Sequence, residues 1–172
     1  MPTLNGASMQ VAVRNADVAN LYWLAFLLTG QREASIDIAV EALESPDGNA
    51  FFSAWILAWA RKVVIAKALA MIRQELAASA NRLQAQRTRC RIAAPRHWAL
   101  EADATKVQIE AALLAIDAFP RCALLLSVFE GLSIDDATVL LDGDRDLVRK
   151  AQAWAIQELT RNLAVQREAA RA

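Results

Sequence analysis

Glycine and proline are scarce, five and four among 172 residues. Turn residues are too sparse for a fold of many short strands joined by tight turns. Cysteine is nearly absent too: Cys90 and Cys122 supply no disulfide framework, so a reducing cytoplasm is the expected setting. The one histidine, His97, has no second histidine or paired cysteine at metal-ligand spacing. The chain also lacks a phosphate-binding glycine loop and a nucleophile with an identifiable base. An enzyme is therefore not expected, and no cofactor or metal is called for. The most apolar run, Leu21–Leu28, falls short of the ~18–20 residues that span a bilayer, and no membrane insertion is expected. Met1–Arg14 lacks the basic start and apolar stretch of a secretory signal.

What the chain has instead is alanine and leucine, within a hydrophobic fraction of 56%. Both lose little side-chain entropy in a helix, and valine and isoleucine almost never alternate strictly with polar residues. The expected class is all-α, with two small helical domains at 8–80 and 100–165 joined by an arginine-rich linker at 81–99.

Charge is balanced overall and uneven along the chain. Residues 1–60 carry two basic and six acidic side chains, 61–100 nine and one, and 101–172 eight and twelve. A basic band of this kind can follow a phosphate backbone or an acidic protein surface; a solvated helix face with a loose linker gives the same composition.

Apolar spacing places a helix from Val11 to Leu28 that stops at Gly30, and a short one over Ile36–Leu43. Ser45-Pro46-Asp47-Gly48 is a turn. A third helix is expected from Phe51 past Leu76, with Trp55, Trp59, Val63, Ala66 and Ala70 on its apolar face. Asn81–Arg96 holds five arginines and no carboxylate, and Pro95 stops a helix from running through it. Periodicity resumes near Leu100 and continues to Pro120, and Leu124–Phe129 is a short buried helix ending at Gly131.

Ser133 is a good N-cap for a helix over Ile134–Leu141, which ends at Asp142-Gly143-Asp144. A longer helix starts near Arg145, with Leu147, Val148, Ala151, Trp154, Ala155 and Leu159 inward. A short helix, a tight turn and a long helix form a helix-turn-helix signature. Asp142, Asp144 and Asp146 mimic the start of a calcium loop, but Leu147 and Ala153 stand where that loop needs glycine and glutamate. Trp55, Trp59, Trp98 and Trp154 read as core rather than as base-stacking residues, and Trp23 as interfacial.

Three stretches together resemble the extracytoplasmic-function sigma factors, a sigma-70-like family. Leu21-Tyr22-Trp23-Leu24-Ala25-Phe26-Leu27-Leu28-Thr29-Gly30-Gln31-Arg32-Glu33, then Asp37-Ile38-Ala39-Val40-Glu41, is similar to the family's core-binding segment. Ala54–Lys62 is similar to its promoter-melting helix. Phe119-Pro120-Arg121, Glu130-Gly131-Leu132-Ser133 and Val148-Arg149-Lys150-Ala151 resemble its C-terminal helix-turn-helix. The chain departs from the pattern at Val40, where the family usually has glutamine, and at Lys62 and Ala66, where it has asparagine and aspartate. It also departs in the aspartates that open the recognition helix.

The resemblance implies a bacterial transcription-initiation subunit that binds core RNA polymerase and directs it to promoter DNA, with an anti-sigma factor as a further partner. It assigns Asp37 and Glu41, which share a helix face, to the polymerase. Arg61, Lys62, Lys67 and Arg73 go to the melted promoter, and Arg145, Arg149 and Lys150 to the upstream element. Arg82, Arg87, Arg89, Arg91 and Arg96 of the linker go to the polymerase's nucleic-acid channels. The acidic opening of the recognition helix points to an alternative. A degenerate module of the same fold would regulate transcription through polymerase or anti-sigma contacts, without specific DNA binding.

Overall fold

Sparse glycine and proline leave long helical runs uninterrupted, and every element described is a helix. The computed structural model describes residues 4–43, 53–86 and 104–171. They form α1 (Leu4–Thr29), α2 (Arg32–Leu43), α3 (Ser53–Met71), α4 (Arg73–Gln86), α5 (Lys106–Leu114), α6 (Ala118–Leu124), α7 (Ile134–Leu141) and α8 (Arg145–Arg171). None of these helices is long and apolar enough to cross a membrane. The chain divides after Met71 into two compact units, Met1–Met71 and Ile72–Ala172. The turn expected at Ser45–Gly48 lies outside the described residues.

In the first unit α1, α2 and α3 pack on one another. Leu21, Leu24, Ala25, Leu28, Ile38, Ala39, Ala42, Val64 and Ala68 are buried there. The Thr-Gly step fixes the corner between α1 and α2. Gly30 has φ +73°, the left-handed conformation that ends a helix without a Cβ penalty. Its N–H donates to the Phe26 carbonyl at 2.8 Å. The buried Thr29 hydroxyl donates to Ala25 O at 2.8 Å, accepts from the Gln31 N–H at 3.1 Å, and lies 3.0 Å from Ser35 Oγ. A closed polar network of this kind holds the first turn of α2 against the last of α1.

The helix expected to run from Phe51 past Leu76 is two helices, interrupted at Ile72. Its inward face also differs from the expectation, with Val63 half-buried and the Trp55 side chain outside the described residues. Ala60, Val64, Ala68 and Leu69 are buried, while Trp59, Ala66 and Ala70 are exposed. The physical reason is composition: α3 is apolar on nearly every side, so spacing alone does not select the inward face.

Beyond the break, α4 belongs with the second unit, where it packs on α6. Leu76, Ser79 and Leu83 form its buried stripe. Residues 81–86, expected to open the linker, are therefore the last turns of α4, and 87–99 lie outside the described residues. The helix expected from Leu100 to Pro120 likewise ends at Leu114, and α6 begins anew after Asp117. Asp117 Oδ1 accepts from the Ala118 N–H at 3.0 Å, and Ser79 Oγ accepts from the Phe119 N–H at 2.9 Å. Two of the N–H groups left over at a helix start are thus satisfied. Pro120 falls in the first turn, where a missing N–H costs nothing. The buried Arg121 guanidinium donates to the Ile116 carbonyl at 3.0 Å, at the exit of α5.

After α6 the backbone widens into a π-helical turn, Leu125–Phe129, closed by a Glu130 N–H to Leu125 O bond of 2.9 Å. Gly131, at φ +68°, reverses the chain. Phe119, Leu113, Leu124, Leu125, Leu126, Cys122 and Val148 are fully buried at the centre of the unit. Each such leucine contributes about 1.5–3 kcal/mol of transfer free energy. Gln152 donates to Ser127 Oγ at 3.0 Å and Asn162 to Ala112 O at 3.0 Å, tying α8 to the π-helical turn and to α5.

Candidate protein and nucleic-acid interfaces

The outer face of α2 carries two carboxylates and two aliphatic side chains in step. Asp37 and Glu41 are four residues apart and exposed, and so are Ile36 and Val40, at 52% and 45%. Residues at this spacing lie one above the other, so the face is a pair of parallel rows, one acidic and one apolar. Ile36 and Val40 mark the apolar spacing of this helix in the sequence, yet the structure leaves both on its outer face. An aliphatic row beside an acidic one suits a protein partner that offers apolar and basic groups together.

Glu41 also forms an ion pair with Lys67 of α3. Two residues assigned by resemblance to different partners therefore hold each other. Lys62 is exposed and Arg61 half-buried on the same helix. Trp59 is 38% exposed and stands three residues before Lys62, on the same side of α3. Its expected place in the core is corrected by this exposure. Arg73 lies beyond the break, as the first residue of α4, so the four basic residues do not share one helix.

In the second unit the expected hairpin is built by its end groups. Ser133 Oγ accepts from the Asp136 N–H at 3.0 Å and starts α7, as expected. Asp142 ends it in the left-handed region, φ 51°. Asp144 Oδ1 then accepts from the Leu147 N–H at 2.7 Å and starts α8. Gly143 sits against the core: a Cβ there would stand 3.1 Å from Phe119 Cζ. Leu147, Val148, Ala151, Ala155 and Leu159 are buried as expected, whereas Trp154 is only half-buried. It lines a cleft of about 220 Å³ with Leu83, Ile116, Pro120 and Glu158.

Of the basic residues assigned to the upstream element, Arg149 is exposed and Lys150 half-buried. Arg145 lies 3.4 Å from Asp135 of α7, so part of its charge is already answered. Arg82 is engaged by Asp117, Nε to Oδ2 at 3.0 Å and Nη2 to Oδ1 at 2.7 Å. The remaining linker arginines, Arg87, Arg89, Arg91 and Arg96, lie outside the described residues.

Burial pushes the Cys122 thiol up to about 12, which leaves it a neutral core group. Among the described residues no three histidine, cysteine or carboxylate side chains are grouped to hold a metal ion. No protein-family model matches the chain, and neither a curated protein nor a solved structure shows significant similarity to it.

Proposed function

We propose that the chain is a sigma-like transcription-initiation factor that docks on core RNA polymerase through the outer face of α2. The observation that carries this reading is the pair of rows on that face, Asp37 and Glu41 beside the exposed Ile36 and Val40. Exposed aliphatic side chains that share a face with carboxylates favour a protein surface over solvent or phosphate. In this reading Trp59 and Lys62 of α3 face the melted promoter, the indole for stacking and the ammonium for phosphate. Arg149 and Lys150 lie toward the upstream element, and the arginines of 87–96 toward the nucleic-acid channels. The protein works by positioning partners and needs no cofactor.

A second reading is favoured by the second unit. Asp135 and Asp136 at the start of α7 and Asp142, Asp144 and Asp146 around the α7–α8 turn are all exposed, and Arg145 is paired with Asp135. Such a surface repels phosphate, so this unit would act through protein contacts, including an anti-sigma partner, without specific DNA binding. Binding to core polymerase and to promoter-length duplex DNA, measured side by side at two salt concentrations, separates the two. Salt-sensitive binding to both supports the initiation factor. Polymerase binding alone supports the protein-contact module.

A further inference from the structure

The outer face of α7, in the second unit, combines the residue types that α2 presents in the first, in a different order. Ile134, Ala137, Thr138 and Leu141 turn inward or lie half-buried. Asp135 and Val139 are four residues apart on the outer side, and Asp136 and Leu140 follow beside them. Val139 is 80% exposed and Leu140 37%. The acidic pair thus occupies the first turn and the aliphatic pair the next, where α2 has an acidic row beside an aliphatic one.

Helix-end electrostatics account for part of this. Asp135 and Asp136 suit the positive end of α7, Asp144 caps α8, and Asp146 lies in its first turn. They do not account for Val139 and Leu140, which gain nothing from water. Nor do they account for Asp142, held at φ 51° where glycine is the easier residue. The ion pair between Arg145 and Asp135 is long and open to solvent, and it leaves the surface strongly acidic.

We infer that the outer face of α7, with the adjoining turn and first turn of α8, docks a protein segment that presents lysine or arginine around aliphatic side chains. This rests on the protein-contact reading of the second unit and names the partner's chemistry. Charge complementarity selects the occupant. Five aspartates within twelve residues call for cations, and Val139 and Leu140 call for apolar groups between them. A nucleic-acid backbone offers neither.

The test uses the full chain carrying Asp37→Lys/Glu41→Lys, so that α2 no longer competes for the same probe. The probe is a fluorescent 14-residue peptide of leucine and lysine patterned as an amphipathic helix, followed by anisotropy. Saturable binding is expected, weakened about tenfold by Val139→Ser/Leu140→Ser and comparably by Asp142→Asn/Asp146→Asn. Both pairs are exposed, and unchanged circular dichroism verifies the fold. An all-lysine peptide binding equally well would overturn the inference, since charge alone would then suffice. Tighter binding of a 20-base-pair duplex would overturn it in favour of DNA. Stronger peptide binding after Arg87, Arg89 and Arg91 are changed to glutamine would also overturn it, making the chain's own arginines the occupant. Polymerase binding by the unaltered chain is measured separately, so loss of the α2 reading and loss of this one are distinguishable.

Discussion

Arg82 and Asp117 meet as a two-pronged pair, 3.0 Å and 2.7 Å, that clamps the last turns of α4 to the start of α6. Asp117 simultaneously caps α6 through the Ala118 N–H. One carboxylate therefore holds two helices, and Arg82, assigned by resemblance to nucleic acid, takes part in the fold through it.

Asp117→Ala should cost about 1–2 kcal/mol, mostly through the lost cap, whereas Arg82→Ala should cost less than about 1 kcal/mol because the pair is exposed. The Arg82 hydrogen bond, opposed in part by burial, holds the Asp117 carboxyl below its ordinary 3.8. A depressed carboxyl stabilises the fold at pH above the unfolded value and loses that contribution as pH falls through the folded one. Urea unfolding of the native chain and Asp117→Asn should thus show a gap at neutral pH that narrows on acidification below about pH 4.

Cys122 is fully buried, and its thiol is pushed up to about 12. It should resist alkylation by iodoacetamide in the folded protein and react at once in denaturant. Peptide mass mapping before and after unfolding checks this; labelling of Cys122 in the native state would mean that the centre of the second unit is open.

The α7–α8 turn should respond oppositely at adjacent positions. Asp142→Gly relieves a left-handed aspartate and should be neutral to stabilising by about 1 kcal/mol. Gly143→Val drives a branched side chain at Phe119 and should cost about 1–3 kcal/mol. Thermal unfolding of the two variants measures both signs.

If the chain is the initiation factor, Arg149→Ala/Lys150→Ala should weaken duplex DNA binding, reduce the salt slope by about 2, and leave polymerase binding nearly intact. Equal loss of both activities, with the fold preserved, would contradict separate roles for the two units.

The sequence reveals the helical class and the α7–α8 hairpin closely, because caps and turns have local chemistry: Ser133, Asp142 and Gly143 stand where helix ends need them. The break at Ile72 has no such signal. No proline or glycine marks it, and α4 is recruited by contacts with α6 some forty residues later, such as Ser79 to Phe119. The inward face of α3 is not legible in the sequence for a related reason, since an apolar helix shows its buried side only once its neighbours are placed. Asp37 and Glu41 were legible as a carboxylate pair at helical spacing. Ile36 and Val40 were not, because an aliphatic residue reads as core until its exposure is known.

The central claim is that α2 docks on core RNA polymerase, and a pull-down with purified core enzyme tests it most directly, with the unaltered chain beside Asp37→Lys/Glu41→Lys and Ile36→Ser/Val40→Ser. Retention of the unaltered chain, with both variants folded yet reduced about tenfold or more, is the predicted result. No retention of the well-folded unaltered chain, or equal retention of all three, would contradict it.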